Sequence, residues 1–464
     1  MFLSLFWLLL ATAQAGSISA PGLIAGPDSG AATADPAAVH YNPAAIAGGD
    51  KRFDSMIDMQ LAKIHVDATT TRNGGIDPNT NEPYNEATAD VWVPVFLAGA
   101  TFKVIPKRLT LGFAISDTYV GGGDYSGSED DPPPYTSHQR YAGITVKIIT
   151  ISFMPAASVT IVDGLHVGAG AHYVMDKINL KQASDPLGSE GMGVIFTEGP
   201  YVMDTILSGS GTGGHFGWNS GIYFDRFKFL RMGVSFAGPQ KWHIKGTSNV
   251  DGVSLSEPID GNLEMSMRLP AVLRAYVSSE PIEMVEFGAG IEYQMWGMCC
   301  GGEEGDIVID LTDDNGDPLE VEMGPMSVKV STPQYSPRRL QNSMNIQAHV
   351  SVKPTKNLFI GTKLAYNTNA VPDFAVSATN LDYKSVGGML AVRYKFGPVT
   401  AGVGYSKFFT FEREITNSAW MADKDSDDYV DERFTPNTPP VKAGTNGSYK
   451  AQVDIIGVRL GAAF

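Results

Sequence analysis

Cysteine is scarce in this chain: its 464 residues contain two, the neighbours Cys299 and Cys300. So few cysteines exclude a disulfide-rich scaffold and any zinc or iron–sulfur domain held by several thiolates. Basic residues are also in the minority, with 34 against 50 acidic ones and a net charge of −16, which argues against a nucleic-acid partner. Because 43% of the residues are hydrophobic, the composition is not that of a disordered chain.

Long apolar runs are lacking as well. The apolar run 2–10 is followed at 13–15 by the small-x-small pattern of a cleavage site, so the sequence predicts a signal peptide over 1–15, although no basic residue precedes the run. An anchor helix is the alternative, but the run is much shorter than the roughly 20 residues that span a bilayer. After Ala15 no window approaches the length of a transmembrane helix, and none is predicted in the mature chain.

What the sequence does contain is alternation with a period of two. At the C-terminus Ile456, Val458 and Leu460 fall on one face of an extended strand, and smaller or polar residues fall on the other. Segments 165–176 and 343–352 repeat this pattern, with Gly, Ser, Gln and His on the second face. A polar second face favours a membrane barrel, apolar toward lipid and polar toward its lumen, over the alternative of a soluble β-sandwich. The aromatic residue that ends the chain is typical of bacterial outer-membrane barrels.

The links between these segments are alternately short and long. The short ones are rich in turn-forming residues and comprise Ile105–Arg108, Val162–Gly164, Asp225–Lys228, Ser278–Pro281, Pro354–Asn357 and Lys395–Pro398. The long ones are 67–89, 121–139, 182–216, 246–264, 297–340, 367–384 and 412–447. One strand at 52–66, six hairpins and a last strand at 448–464 give fourteen strands, an even number that places both ends on the periplasmic side.

The predicted fold class is therefore all-β: a 14-stranded antiparallel transmembrane β-barrel over residues 51–464, in the outer membrane. Residues 16–50 are rich in Gly, Ala and Pro and lack alternation. Because they precede the first strand at the periplasmic mouth, we predict that they fold back as an N-terminal hatch that plugs the lumen.

Six short motifs in this order resemble those of the FadL family of outer-membrane transporters for long-chain fatty acids and related hydrophobic compounds. The most specific is the Ala-rich segment Ala31–Ile46, which contains Asn42-Pro43-Ala44. The others are Trp92-Val93-Pro94, Arg231–Phe236, Met267–Pro270, Gln294-Met295-Trp296 and Ala370–Asp373. The resemblance covers essentially the whole mature chain.

The resemblance implies a fold and a mechanism. Members of the family are fourteen-stranded barrels with an N-terminal hatch. They work without an energy source: a hydrophobic substrate binds at the extracellular loops, passes to a lumen pocket and leaves sideways at a kinked third strand, here about 109–120. A hatch rearrangement couples these steps.

Three residues of the hatch motif are the gating candidates, namely Asn42, Pro43 and Ala44. Pro43 fixes its own φ and keeps Asn42 out of the α region, so the Asn42 side chain is free to hydrogen-bond neighbouring backbone at a hinge. A plain turn without a gating role is the alternative.

The substrate-binding candidates lie in the predicted strands. Trp92, Pro94 and Phe96 belong to a second strand that is apolar on both faces, which predicts a hydrophobic lumen patch or a surface that packs on the hatch. By parity Arg274 and Lys363 point inward near mid-barrel and are positioned to meet a carboxylate. They are alternatively paired with inward acids such as Glu286 and Glu292.

The remaining features suggest no further chemistry. Acidic runs at Ser128–Asp131, Glu303–Asp306, Asp310–Asp317 and Asp423–Glu432 are predicted to be solvated loop charge that is also able to bridge to lipopolysaccharide through divalent ions, and they lack the spacing of an EF-hand. The adjacent cysteines form either a strained disulfide or two thiols. No nucleophile elbow, metal-binding His pair or phosphate loop is present, so no enzyme activity, cofactor or metal is predicted.

The sequence thus predicts a passive, monomeric channel for fatty acids or similar hydrophobic molecules, in contact with outer-membrane lipid and lipopolysaccharide. An uptake channel for aromatic hydrocarbons, a non-transport surface barrel and an outer-membrane lipid hydrolase are the alternatives.

Overall fold

The protein is described from a computed structural model. It describes residues 26–70, 86–124, 144–184, 205–227, 229–252, 255, 257–301, 307–323, 326–329, 334–336, 339–376, 381–416 and 447–464. The predicted signal peptide and the first part of the predicted hatch, 16–25, lie outside these residues. Within them, no helix has both the length and the apolar character needed to cross a membrane.

Within the described residues, twenty-one strands make up nearly all of the regular structure. They are β1 (Phe53–Thr70), β2 (Glu86–Ile105), β3 (Leu109–Asp124), β4 (Thr145–Val162), β5 (Leu165–Ser184), β6 (Thr205–Phe227), β7 (Leu230–Ala237), β8 (Gln240–Gly252), β9 (Ile259–Leu269), β10 (Val272–Ile282), β11 (Val285–Gln294), β12 (Ile307–Thr312), β13 (Glu320–Met323), β14 (Met326–Lys329), β15 (Gln334–Ser336), β16 (Ser343–Val352), β17 (Leu358–Asn367), β18 (Ser385–Phe396), β19 (Val399–Thr410), β20 (Arg413–Ile415) and β21 (Gly447–Ala463). Short helices occupy Ala38–Tyr41, Pro43–Ala47, Trp296–Cys300 and Asp373–Ala375.

The sheet closes on itself, because β1 pairs antiparallel with β2 on one side and with β21 on the other. β7 and β8 together form one wall strand, as do β9 and β10, while β12 and β20 extend the sheet beside β9 and β21. The ring therefore has fourteen antiparallel wall strands, and the predicted fold class is confirmed.

Alternation explains which side of the wall each residue takes. On β21 the side chains of Ile456, Val458 and Leu460 are exposed on the outside. On β11 the acids Glu286 and Glu292 are buried on the inside. Closure pairs each wall strand with two neighbours, so apart from an interruption between β2 and β3 the backbone is satisfied while the apolar stripe meets lipid.

Short turns join the strands at the end that carries both Phe53 and Phe464, as expected for the periplasmic side. One turn is displaced from its predicted place at Ser278–Pro281: β10 runs on to Ile282, and the chain turns at Glu283 and Met284. The register shifts between Ser279 and Ile282, and this bulge accommodates Pro281, which has no N–H to give to the ladder.

Several predicted long loops are partly strand. Residues 246–264 belong mostly to β8 and β9, and β6 begins at Thr205, inside the predicted loop 182–216. Above the hydrocarbon region the alternation inverts, as on β8, where Trp242 and Ile244 are buried inside and Lys245 points outward. A polar outer face looks like loop sequence, which is why the prediction ended these strands too early.

The N-terminal segment, defined here as residues 26–50, lies within the ring of strands. Its two short helices, Ala38–Tyr41 and Pro43–Ala47, are almost wholly buried. Val39, Ala44 and Ile46 pack with Ala114 and Met154 of the barrel interior. The wall strands thus surround this segment with their small and polar inner faces.

Candidate functional site

Asn42 is the fully buried centre of the N-terminal segment. Its backbone is extended (φ −160°, ψ 97°), and its side-chain oxygen accepts a hydrogen bond from the Ala44 N–H at 3.1 Å, capping the helix that starts at Pro43. Pro43 occupies a first helical position, where a missing N–H is harmless. The Asn42 amide donates to the carbonyls of Ala31 (2.7 Å) and Ile222 on β6 (3.0 Å). One side chain therefore joins two parts of the segment to the wall.

Further polar contacts hold the same helices from the wall side. Asn219 on β6 donates to the carbonyl of Val39 at 2.9 Å, and Ser235 on β7 donates to that of Tyr41 at 2.5 Å. Ser158 on β4 donates to the carbonyl of Ala44 at 2.8 Å. These carbonyls belong to buried residues, so each such contact satisfies a buried acceptor.

The start of the segment is held by charge. Arg393 on β18 contacts the Asp28 carboxylate at 2.6 Å, and Arg459 on β21 lies 3.0 Å from Asp58 and 3.5 Å from Asp35. Burial disfavours the ionised form of Asp28, but Arg393 and Arg459 outweigh that effect and lower the pKa of Asp28 below its usual range. The segment is thus fixed by ion pairs at its start and by neutral hydrogen bonds around Asn42.

Close approach between the segment and the wall requires glycine at Gly168 on β5. A Cβ placed there would lie 2.5 Å from both the Ala44 nitrogen and the Pro43 carbonyl carbon. The inner face of β5 therefore accepts the helix at Pro43 only without a side chain.

We expect Gly168→Ala to lower the free energy of unfolding by about 1–3 kcal/mol, because the added methyl group overpacks against backbone that cannot turn away. Urea-induced unfolding in lipid vesicles measures this change. Gly404→Ala is the matched control, since a Cβ at Gly404 meets nothing nearer than 3.5 Å. Equal stability of the two variants would contradict the tight fit at Gly168.

A cavity lies between the segment and the inner faces of β10, β11 and β16–β19. Arg274 and Lys363 both line it and both are buried, as the sequence predicts. The Arg274 Nε contacts Glu292 at 2.6 Å, which is the alternative pairing considered for it, and its Nη2 lies 3.5 Å from His40 Nε2. Burial lowers the pKa of His40 well below 6.5, and Arg274 lowers it further, so this ring is neutral.

Lys363 differs from Arg274 in its partner. Its Nζ donates to the backbone carbonyl of Ser29 at 3.2 Å. Among the described residues it forms no ion pair with a carboxylate, so its charge is directed at the segment and the cavity. The role of Ser29 is not predictable from the sequence, because its contact uses a backbone carbonyl, which every residue type has.

The inner face of β2 is apolar, as predicted, but Trp92, Pro94 and Phe96 do not form it. The prediction assigned these three residues to the wrong side of the strand. Trp92 and Pro94 point outward, with Trp92 42% exposed, and Phe96 shares their parity. The inner face consists of Val91, Val93, Val95 and Leu97, all buried. These four pack in one apolar cluster with Ala37 and Tyr41 of the N-terminal segment. Because both faces of β2 are apolar, the sequence does not show which of them points into the lumen.

The hydrogen-bond ladder between β2 and β3 is interrupted. It runs from Ile105 paired with Leu109 to Leu97 paired with Ser116, and in the described part of the chain it stops there. Above that point β2 pairs with β1 and β3 pairs with β4, whose register shifts between Asp117 and Val120. We call this interruption the β2–β3 seam.

Asp117 closes the lower end of the seam. Its side chain is buried, and its Oδ1 accepts a hydrogen bond from the Phe96 N–H at 3.0 Å. The carboxylate thus supplies the partner that β3 backbone would supply in a regular ladder. Sequence reasoning missed Asp117, although an acid inside an otherwise apolar strand is an available signal.

Two remaining candidates are structural. Cys299 and Cys300 form a disulfide at the end of a short helix, where Cys300 is buried. In the acidic run Asp310–Asp317, Asp313 accepts hydrogen bonds from the N–H groups of Asn315 and Asp317 within its own turn. No cluster suited to a metal ion occurs among the residues that the structure covers, and the other acidic runs lie outside them.

Comparison with known proteins agrees with this architecture. A crystal structure of a Pseudomonas aeruginosa FadL homologue superposes with a TM-score of 0.71 at 15% identity, covering 98% of this chain and 99% of that one. The Pseudomonas putida toluene transporter TodX gives 0.64 at 14% identity over 98% and 100% of the chains. CymD, a monoaromatic hydrocarbon channel, gives 0.61 at 14% identity over 94% and 95%. At such identities these likenesses show the fold.

The comparison with curated proteins gives no match. The family model of the outer membrane protein transport proteins (OMPP1/FadL/TodX) matches residues 11–298, which is more than half of the chain. This protein therefore belongs to the OMPP1/FadL/TodX family, a family of outer membrane transport proteins and not of enzymes.

Proposed function

We propose that this protein is a passive channel that takes up long-chain fatty acids or similar hydrophobic molecules and releases them sideways through the barrel wall. The observation that carries the proposal is the β2–β3 seam, where the hydrogen-bond ladder of the wall stops beside the apolar inner face of β2. Val95 and Leu97, on that face, flank Phe96, whose N–H is held by Asp117. A lumen lined in this way leads an apolar solute toward lipid.

The path toward the seam is apolar from the outer end of the barrel. Buried Ile64 and Val66 on β1 and Tyr449 and Val453 on β21 belong to the same cluster as Val91. The cluster also includes Val371 and Leu381 of the outer loops, and these extend it above the wall. Hydrophobic cargo captured at the outer loops would therefore stay in contact with apolar side chains down to β2.

The N-terminal segment is the gate in this proposal. Ala37 and Tyr41 belong to the same apolar cluster as Val93 and Leu97, and Pro36 lies beside Gly99 of β2, so in this proposal the segment covers the lumen side of the seam. Asn42, Pro43 and Ala44 form the hinge, because the hydrogen bonds of Asn42 connect both halves of the segment to β6. Movement of the segment would uncover the apolar face of β2.

Lys363 is the group we assign to a carboxylate on the cargo. Arg274 is neutralised by Glu292, whereas the ammonium of Lys363 has a carbonyl partner that an anion would replace. Arg274 then serves to hold His40 of the segment in place. Since Lys363 contacts Ser29, binding of a carboxylate would also loosen the start of the segment.

We expect Lys363→Met to weaken binding of oleate by about 10–100-fold, the loss of one charge-assisted hydrogen bond in a buried site. Binding of an uncharged aromatic such as toluene should stay within about twofold. Equilibrium binding to purified protein measures both ligands, and Lys353→Met, which removes a lysine paired with Glu280 at the periplasmic end, is the control. Unchanged oleate binding with Lys363→Met would sink the assignment of this residue.

An aromatic-hydrocarbon channel is the second candidate, favoured by the likeness to TodX and CymD. The same experiment separates the two. Tight toluene binding with weak oleate binding in the unaltered protein would favour the aromatic cargo.

The transport function is tested by uptake into vesicles that contain the purified protein. Saturable uptake of labelled oleate or toluene is expected, and deletion of residues 26–45 should abolish it. Uptake no faster than in protein-free vesicles would contradict the proposal.

We propose that the working unit is a monomer in outer-membrane lipid, because the ring closes within one chain. Light scattering of the detergent-solubilised protein would show a larger mass if the protein is not a monomer.

A further inference from the structure

Lysines collect on the outer face of three strands, just above the apolar band. On β8 Lys241 and Lys245 alternate with buried Trp242 and Ile244 and therefore point outward. On β5 Lys177 is exposed, and the register through Thr212 places it at the level of Lys245. These lysines share one side of the wall.

Two half-buried lysines complete this group, which we call the lysine patch. Its members are Lys147 on β4, Lys177 and Lys181 on β5, and Lys241 and Lys245 on β8. The patch is bounded by Glu264 on β9, which contacts Lys245 at 3.2 Å and His243 at 2.9 Å. Asp310 on β12 pairs with Glu264 in the ladder and so lies one strand farther from the lysines. The patch is therefore strongly basic in a chain whose net charge is −16.

The height of Lys177 and Lys245 is set by aromatic residues beneath them. Tyr173 and Phe216 are directly paired and 44% and 78% exposed on the outside. Such an aromatic girdle marks the edge of the hydrocarbon region. Lys177 lies four residues farther along β5, about 13 Å along the strand, which places it at the level of the lipid headgroups.

The opposite wall lacks this excess of positive charge. Lys63 on β1 contacts Asp90 at 3.4 Å, and Lys407 on β19 contacts Asp454 at 3.3 Å. Each of these outward lysines has an acidic neighbour, as Lys245 has in Glu264, but among the described residues the patch sets five lysines against the two carboxylates of Glu264 and Asp310. The basic surface is thus a local feature of β4, β5 and β8.

We infer that the lysine patch binds the phosphate groups of lipopolysaccharide in the outer leaflet. Lysine ammonium groups are compact partners for phosphate, and here they stand above an apolar wall that packs against acyl chains. The patch and the lipid match in charge and in height. The anionic headgroup lies beside the lysines, and the acyl chains of the lipid run down beside Phe216 and Tyr173. The site is separate from the lumen and does not rest on which cargo the channel carries.

The test compares lipid binding by three proteins purified in mild detergent: the unaltered chain, the triple variant K177Q/K241Q/K245Q and the control K63Q/K407Q. The probes are deep-rough lipopolysaccharide, the same lipid after dephosphorylation, phosphatidylglycerol and inorganic phosphate, with bound lipid counted by native mass spectrometry. We expect the triple variant to bind lipopolysaccharide at least tenfold more weakly than the unaltered chain, and the control to stay within twofold. Dephosphorylated lipid should bind the unaltered chain as weakly as the triple variant binds lipopolysaccharide.

Equal lipopolysaccharide binding by all three proteins would overturn the inference. So would tight binding of dephosphorylated lipid, or of phosphatidylglycerol or inorganic phosphate at the level of lipopolysaccharide. Heat-dependent gel mobility reports that each barrel is folded. If the triple variant does not fold, the single variants Lys177→Glu and Lys245→Glu replace it, with the same order of affinities expected. Oleate uptake should be unaffected throughout, so a failure here is distinct from a failure of the transport proposal.

Discussion

A disulfide between the N-terminal segment and β2 will stop uptake. With Pro36→Cys and Gly99→Cys together, the two Cβ atoms would lie 3.3 Å apart, close to the spacing of about 3.5–4.5 Å found in disulfides. The bond would pin the segment below the β2–β3 seam, and we expect oleate uptake to fall at least tenfold under oxidising conditions. Reduction with dithiothreitol should restore it.

The control for this prediction is a disulfide within the wall. Gly404→Cys with Ala391→Cys brings Cβ atoms within 3.5 Å across β18 and β19, at a place where the ladder is intact. This bond leaves the segment free, and uptake should match that of the unaltered protein treated in the same way. Full uptake by a completely cross-linked Pro36→Cys, Gly99→Cys protein would rule out movement of the segment as the gate.

The second large effect is expected at Asn42. Asn42→Leu leaves the carbonyls of Ala31 and Ile222 and the N–H of Ala44 without their buried partner. Each unsatisfied group costs about 1–3 kcal/mol, so the stability of the docked segment should fall by about 3 kcal/mol or more. Saturable uptake should then be lost, and protease cleavage within the segment should rise about 100-fold.

Asn42→Asp tests the donor role of the amide separately. It keeps the oxygen that accepts from Ala44 but buries a carboxylate against the carbonyl oxygens of Ala31 and Ile222, so its cleavage rate should be at least that of Asn42→Leu. Limited proteolysis followed by mass spectrometry measures all three. Identical rates and identical uptake would show that Asn42 forms only a turn.

Period-two alternation is enough to predict the wall of this protein, because lipid imposes one rule on every strand. Ile456 and Leu460 outside and Glu286 and Glu292 inside follow that rule. Above the hydrocarbon region polar headgroups and water replace the acyl chains and the rule reverses, so Lys245 faces out and Ile244 faces in. These outer strand segments, with their polar outward faces, then resemble loop sequence. A prediction from sequence therefore makes β8 and β9 too short.

The site is less accessible from sequence than the wall. The Asn-Pro-Ala motif locates the hinge, because Pro43 restricts its own backbone and that of Asn42. The face of β2 that lines the lumen is hidden, since Val93 and Trp92 are both apolar. Pairing of Arg274 with Glu292 depends on register between β10 and β11, which follows from turn geometry and the bulge before Ile282.

The most direct test of the central claim, that cargo leaves through the β2–β3 seam, is photolabelling with a fatty acid that carries a diazirine near the end of its chain. After irradiation in vesicles, mass spectrometry locates the labelled residues. The account predicts saturable labelling of Val95 and Leu97 on β2 and of β3 around Asp117, suppressed by excess oleate and by the disulfide that joins Pro36→Cys to Gly99→Cys. Saturable labelling confined to the cavity around Lys363 and the periplasmic end of the barrel, with the seam unlabelled, would contradict it.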